Sequence, residues 1–466
     1  MFNNKKAILI GNTLEFLDLY LYIHFATVIA QKFFPAGFEK SLFLQAFSFS
    51  QIYLIAPIAC LIFAYLGDKH GRKPIILHTA LWMAITSVLI IFLPTYETWG
   101  ENSVILLLIL RIIQGIALAG EPTAANLYLM ESTSMDRNSP WYNQAPWYVT
   151  VMGVTEQVGG VIALLLCYTS LTYLKDYTHG WRVPFACCGT FILFVLYIRT
   201  RLAESEDYKK FTSDQQAVNI LAHNETGLSF FKKSILFYKK NVFSLFFLFV
   251  VYPTVFNLCF LQISPQVVGI DSPPEDLALY NIYVSIGTIL LSLLKTYLPL
   301  RFNWNLRKTT ATYVSVGCIC AFLAVWGLEN NSSWIFVFVC QILIISLLNF
   351  GLVMPGLIKM FPIIARYRLM ALSWSLARFS NFFLIVFGTS AIKGVFGLYG
   401  SLYMVYALAI PALFAVWYHI CYYTVDQIIF MKNSKKANII HQSIQVMSNK
   451  EAMDRIYGTS NFKKSN

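Results

Sequence analysis

Twelve apolar stretches, each about long enough to cross a bilayer, run through the 466 residues at approximately 7–30, 43–66, 75–94, 103–128, 147–170, 181–199, 241–262, 278–300, 309–327, 334–358, 369–392 and 402–423. Such a chain has few structural options, because hydrocarbon leaves every backbone N–H and C=O to be satisfied within its own segment or a closed barrel. Stretches of this length favour helices. The chain is therefore read as an all-α polytopic membrane protein with twelve transmembrane helices. Its composition agrees, with 57% hydrophobic and 12% charged residues, the charged share being about half that of ordinary soluble domains.

Span 1 carries charge where lipid forbids it. In IGNTLEFLDLYLYIHFATVIA the residues Gly11, Glu15, Asp18 and Tyr22 recur at spacings of four, three and four, which stacks them on one helical face. A carboxylate at mid-bilayer costs about 2.5–3.5 kcal/mol on insertion scales, so a stripe with two of them is expected to face protein or a water-filled cavity.

The net charge of +12 does not mark a nucleic-acid surface, because most of the 35 basic residues lie in the termini and in alternate loops. Clusters at Lys69/Arg72/Lys73, Lys209/Lys210, Lys232/Lys233, Lys239/Lys240, Lys435/Lys436 and Lys463/Lys464 place both termini in the cytoplasm. No cleavable signal peptide is expected, since the first apolar run is too long and holds two acids. The nine cysteines all fall inside spans and read as packing residues, with neither a disulfide framework nor a metal site.

Spans 1–6 and 7–12 are separated by a polar stretch. The division is residues 1–199 as one six-helix bundle, 200–240 as a cytoplasmic central loop, 241–423 as the second bundle and 424–466 as a cytoplasmic tail. Six plus six suggests two bundles that rock about a central site, the alternating-access arrangement of many secondary transporters.

Between spans 2 and 3 the chain reads AYLGDKHGRKPIIL, packing Gly67, Asp68, Gly71, Arg72 and Lys73 into a tight turn. This resembles the loop motif of the major facilitator superfamily, and the resemblance implies that fold and a gating role for the loop. A narrower resemblance is to the metabolite:proton symporter branch, which includes proline/betaine, oxoglutarate, citrate and shikimate carriers. It is carried by GNTLEFLDLYLY in span 1, FFP at 33–35, RIIQGIALAGE in span 4 with Arg111, Gln114, Gly115, Gly120 and Glu121, then Glu131, GWRVPF at 180–185, Arg199 with Leu202, Ala203 and Glu204, and FPIIARYRLMAL before span 11. The chain departs from the branch in having Ala56 before Pro57 where an arginine is usual, Ala119 for the first of the paired glycines in span 4, and Ser375 and Arg378 in span 11; RFNWNLRK between spans 8 and 9 keeps Arg301, Arg307 and Lys308 but no acid.

The resemblance implies that spans 1, 4, 7 and 10 line the cavity, bringing Glu15 and Asp18 opposite Arg111, Gln114 and Glu121. Two close carboxylates in low dielectric cannot both stay ionised cheaply unless a cation such as Arg111 neutralises one. Glu15, Asp18, Arg111 and Glu121 are accordingly the proton-coupling candidates, with a static ion-pair network as the alternative. Glu156 and Gln157 in span 5 are candidates of the same kind, or helix bridges.

Substrate-binding candidates are Tyr22, Gln114, Asn257, Asn349 and Arg378, the last expected to hold a substrate carboxylate in place of the missing span 2 cation. Span 7, with Tyr252, Pro253, Asn257 and Gln262-Ile263-Ser264-Pro265, and span 10, with Gln341, Asn349, Gly351 and Pro355, are expected to bend as cavity-lining helices do. Tyr20, Tyr22, Tyr252, Tyr280 or Tyr283 could face a cationic head group, although no aromatic cage is assigned.

No Gly-rich run ends in Gly-Lys-Ser/Thr, so an ion gradient rather than ATP is expected to drive transport, with no cofactor. Scattered histidines and the lack of a nucleophile, base and orienting-acid set argue against an enzyme. The expectation is proton-coupled uptake of a small carboxylated or zwitterionic metabolite by a monomer in the bacterial inner membrane. Its partners are the substrate, protons and lipid, without nucleic acid. The alternatives are an exporter or importer of a larger metabolite such as a siderophore, and a sensor derived from a carrier.

Overall fold

The computed structural model describes residues 4–34, 52–131, 144–174, 177, 179–200, 235–236, 238–269, 273–330, 332–358, 361, 363–388, 391, 408–412 and 414, apart from 175–176 and 178. The first six spans are Asn4–His24 continued by Ala26–Phe33, Ile52–His70, Arg72–Phe92, Glu101–Glu131, Gln144–Tyr173 and Val183–Thr200. The next five are Lys239–Leu258 with its continuation to Val268, Pro274–Arg301, Leu306–Glu329, Trp334–Leu347 continued by Met354–Ile358, and Ile363–Phe383. Of span 12 only helical residues around 408–412 are described, and most of the 200–240 loop and the whole 424–466 tail lie outside the described residues. Seven of the described helices are long and apolar enough on their own to cross a membrane.

Span 4 is 31 residues long, about 46 Å at 1.5 Å per residue, longer than a hydrocarbon core requires.

The connection between spans 2 and 3 is a single residue. Gly71 stands alone between His70 and Arg72 with φ 99°, a left-handed conformation that a side chain disfavours. Its N–H donates to the Gly67 carbonyl at 3.1 Å. The side chains of Asp68 and Arg72 lie outside the described residues, so the predicted gating loop is defined here by its backbone.

Span 7 does not run as one regular helix. It contains Pro253, widens into a π-turn at Cys259–Ile263 and resumes at Ser264 with Pro265. In the wider turn the Cys259 carbonyl accepts from the Ser264 N–H and, at 3.2 Å, from Ser264 Oγ. Gln341 of span 10 adds a third donor: its Nε2 donates to that carbonyl at 3.0 Å and to Ser264 Oγ at 2.9 Å, while its Oε1 accepts from the Tyr280 hydroxyl at 2.9 Å. Gln341 and Tyr280 are thus taken up in bracing the bend rather than lining a site.

Span 10 is broken as its sequence predicts. Helix ends at Leu347, a turn covers 348–353, and helix resumes at Met354. The buried ammonium of Lys295 in span 8 donates to the Ser346 carbonyl and, at 3.0 Å, to that of Asn349. It satisfies acceptors that the break exposes.

The two halves of the chain meet along spans 5 and 8, where Thr150 and Thr296 hydroxyls lie 3.1 Å apart, and along spans 2 and 11, where Cys60 Sγ donates to the Ala371 carbonyl at 3.4 Å. One continuous apolar core includes Ala56, Ala64 and Met152 together with Val251, Ile344 and Tyr367.

Candidate functional site

The stripe on span 1 faces protein along its whole length, with Glu15, Asp18 and Tyr22 all buried. Asp18 is held inside the first bundle: Oδ1 accepts from Ser87 Oγ of span 3 at 2.8 Å and from Cys188 Sγ of span 6 at 3.7 Å. Its Oδ2 accepts from Gln114 Nε2 of span 4 at 2.9 Å. The reason lies on the other side of span 1, where Asn12 donates to the Met152 carbonyl and to Thr155 Oγ1, both at 3.0 Å, and Tyr20 packs against Phe256 at 5.3 Å between ring centroids. Spans 5 and 7 occupy that face, so the acidic face turns inward.

Arg111 is buried and reaches Asp18 through an intermediary. Its Nη1 donates to Gln114 Oε1 at 2.7 Å, and its guanidinium carbon sits 3.6 Å from the centre of the Tyr22 ring. A single amide therefore joins cation to acid. Gln114 and Tyr22, the substrate-binding candidates of spans 4 and 1, both belong to this network of side chains.

Glu15 is different. It is buried, and neither carboxyl oxygen has a hydrogen-bond partner among the described residues. Arg199 of span 6 is a cation beside the same stripe of span 1. Arg199 lies one turn away from Glu15 along span 1, so close to Gly11 that a Cβ there would fall 1.9 Å from its Nη2. Gly11 is present because the guanidinium occupies the space.

The interior between the two halves is lined from both. Gln157 Nε2 donates to the Tyr252 hydroxyl at 2.9 Å, linking spans 5 and 7. A cavity beside it is bounded by Tyr20, His24, Gly160, Phe260 and Ser285. Arg378 of span 11 is half-buried, 5.4 Å from the centre of the Tyr53 ring and 4.8 Å from that of Trp374. A turn further on, Asn381 accepts a hydrogen bond from Thr254, tying span 11 to span 7.

The remaining candidates are partly committed to backbone. Asn257 donates to the Pro253 carbonyl at 2.8 Å, within its own helix, and Asn349 Oδ1 accepts from the Gly351 N–H at 2.9 Å in the break of span 10. The Asn349 amide nitrogen looks across at span 5, 3.6 Å from where a Cβ on Gly153 would stand. Tyr283 is 55% exposed on the outer surface. The side chain of Glu121 lies outside the described residues.

Sequence reasoning missed Ser87, Cys188 and Lys295 and gave Arg199 no role in the site. Lys295 had a usable signal, a solitary lysine within the apolar run SIGTILLSLLKTYL. Arg199 closes its span and reads like any basic residue at a membrane boundary.

The sequence profile of the Major Facilitator Superfamily matches residues 8–389. The chain is 27% identical over 379 residues to the inner membrane metabolite transport protein YhjE of Escherichia coli K12, covering 80% of this chain and 83% of that protein. It is 30% identical over 286 residues to a putative proline/betaine transporter of Staphylococcus aureus strain COL, 58% of this chain and 57% of the other. Among solved structures, the proton:xylose symporter XylE bound to 6-bromo-6-deoxy-D-glucose superposes with a TM-score of 0.67 over 89% of this chain and 94% of that one. At 15% identity that likeness concerns the fold alone.

Proposed function

The chain belongs to the Major Facilitator Superfamily, and we propose that, as a secondary transporter of that family, it takes up a small carboxylated or zwitterionic metabolite together with a proton. Alternating access between the halves 1–199 and 241–423 would carry both across. The setting of the reading is a monomer in a bacterial inner membrane with cytoplasmic termini, supported by the placement of basic residues and by the likeness to an inner membrane protein.

One observation carries the coupling. Glu15 presents two buried carboxyl oxygens without a hydrogen-bond partner among the described residues, whereas both oxygens of Asp18 accept hydrogen bonds. Glu15 can therefore gain or lose a proton without dismantling a network, and Asp18 cannot. Arg199 offers compensating charge when the proton leaves. Asp18, Gln114 and Arg111 hold spans 1, 3, 4 and 6 in register around it. Arg378, half-buried against Tyr53 and Trp374, is the group for a substrate carboxylate.

The test is uptake into proteoliposomes with an imposed proton gradient, screening proline, betaine, citrate, oxoglutarate and other amino acids. Accumulation of at least one of them that collapses with a protonophore supports the reading. Accumulation indifferent to the protonophore, or net movement outward only, contradicts it.

A further inference from the structure

Lys295 is a buried cation of span 8 that meets no anion among the described residues. Its ammonium donates to two main-chain carbonyls, that of Ser346 and, at 3.0 Å, that of Asn349. Ser346 lies in the last turn of the helix Trp334–Leu347, and Asn349 lies in the turn that follows. A helix C-terminus leaves its last four carbonyls unpaired and carries partial negative charge, so the break in span 10 supplies counter-charge for a cation. In secondary transporters with discontinuous helices, such carbonyls hold the coupling cation. Here the cation is tethered to the neighbouring helix.

The surroundings are built to hold it. Thr288, Ser292 and Lys295 recur at spacings of four and three, which puts them on one face of span 8. The Thr288 carbonyl accepts from Ser346 Oγ at 3.3 Å, so this face meets span 10 just before the break. One turn from Lys295, the Ser292 hydroxyl is buried with no hydrogen-bond partner among the described residues, an oxygen left uncommitted. The backbone at Lys295 is anchored too: Pro299, four residues on, has no N–H for the Lys295 carbonyl, which accepts from the Tyr313 hydroxyl of span 9 at 3.1 Å. On its other side the 348–353 turn meets the first half of the chain. A Cβ on Gly351 would stand 3.0 Å from Thr150 Oγ1 of span 5, whose hydroxyl also lies 3.1 Å from that of Thr296, the residue after Lys295.

We propose that the break in span 10 is a binding site for one monovalent cation, that the ammonium of Lys295 is its resident, and that this tethered charge positions the 348–353 turn against span 5. Neither the substrate nor Glu15 enters into it. Two consequences separate such a site from ordinary packing. With the side chain cut back, the carbonyls and the Ser292 hydroxyl remain as ligands, and a free cation takes the vacated place. With the side chain kept long but uncharged, the place is filled and no cation enters.

Thermal unfolding of the purified protein tests this in chloride salts of equal ionic strength: N-methylglucammonium, sodium, potassium, ammonium and n-propylammonium. The last is the fragment that Lys295→Ala removes, and 1-propanol is its uncharged control. The wild type is expected to unfold at one temperature in all of them. Lys295→Ala is expected to unfold lower in N-methylglucammonium and to be raised saturably by n-propylammonium or a smaller cation, but not by 1-propanol; the cation that acts tells an ammonium pocket from an alkali-ion site. Lys295→Met is expected to be destabilised and deaf to every cation, with Lys295→Arg closer to the wild type. Position of the turn is read by Gly153→Cys in a variant without other cysteines, since a Cβ there makes ordinary contact with Asn349 Nδ2 at 3.6 Å. Alkylation of that cysteine by a small maleimide is expected to quicken about tenfold or more in Lys295→Ala and to slow again with the same cation.

No cation stabilising Lys295→Ala beyond its effect on the wild type, or equal recovery with 1-propanol, would overturn the site. If the alanine variant is not recovered folded, Lys295→Met as stable as Lys295→Arg does so instead. An unchanged alkylation rate at 153 in Lys295→Ala, or in Lys295→Met in its place, would overturn the positioning of the turn.

Discussion

Tyr367 of span 11 donates its hydroxyl to the backbone carbonyl of Gly120 in span 4 at 3.0 Å, joining the two halves at the end where the 67–73 connection lies. The ring is fully buried and lies against Gly67, where an added Cβ would come within 2.3 Å of Tyr367 Cε1. The glycine before the tight turn is thus a seat for an aromatic side chain of the other half. This gives part of the loop motif a packing role that its basic residues do not reveal.

Removing the Tyr367 hydroxyl should loosen that end. Tyr367→Phe deletes a hydrogen bond worth about 0.5–1.5 kcal/mol net, so opening there should become roughly two- to tenfold more frequent. Cys60, which bonds the Ala371 carbonyl nearby, reports the change in a variant with its other cysteines replaced. Faster alkylation of Cys60 by a membrane-permeant maleimide is expected, and an unchanged rate would remove Tyr367 from the closure. Gly67→Ala should act more strongly, and Tyr367→Ala in the same protein should relieve it if the clash is the cause.

Among the described residues, the hydrogen-bonded path from Arg111 to Asp18 runs through the Gln114 amide. Gln114→Leu leaves a carboxylate oxygen and a guanidinium N–H unpaired in the interior, at about 1–3 kcal/mol for each stranded group. Asp18→Asn keeps the shape and most of the bonding. Thermal unfolding in detergent should therefore fall further for Gln114→Leu than for Asp18→Asn. The reverse order would mean that Asp18 interacts with Arg111 without the amide.

Gln341 should matter to stability despite its distance from the charged residues. Gln341→Leu strands the buried Tyr280 hydroxyl, at about 1–3 kcal/mol, while the Cys259 carbonyl keeps the Ser264 N–H and Oγ. A lower unfolding temperature is expected, with recovery when Tyr280→Phe is added. Transport that survives in the double variant would separate this bracing of span 7 from the substrate route.

Helix periodicity explains what the sequence could and could not disclose. Spacings of four, three and four put Gly11, Glu15, Asp18 and Tyr22 on one face, and the cost of charge in lipid required that face to meet protein; both hold. Periodicity fixes angles within a helix but not which neighbour a face meets. The companion stripe of Asn12, Phe16 and Tyr20 has equally regular spacing and is the one turned toward spans 5 and 7. Arg199 was illegible for another reason: a long side chain at a span end can extend outward or fold back, and only the empty space at Gly11 decides. Gln341 and Lys295 look like functional polar groups in sequence. Their partners turn out to be carbonyls at the π-turn of span 7 and the break of span 10, irregularities whose place was foreseen from Pro265 and Gly351 but whose bracing needs three-dimensional contacts.

The central claim is that a proton on Glu15 drives accumulation while taking no part in holding substrate. Glu15→Gln, compared with wild type in proteoliposomes, measures this most directly through two readouts on one substrate. The account predicts counterflow exchange within about twofold of wild type, with uphill accumulation driven by the proton gradient abolished. Glu15→Gln protein that still concentrates substrate against its gradient, sensitive to protonophore as before, would contradict it.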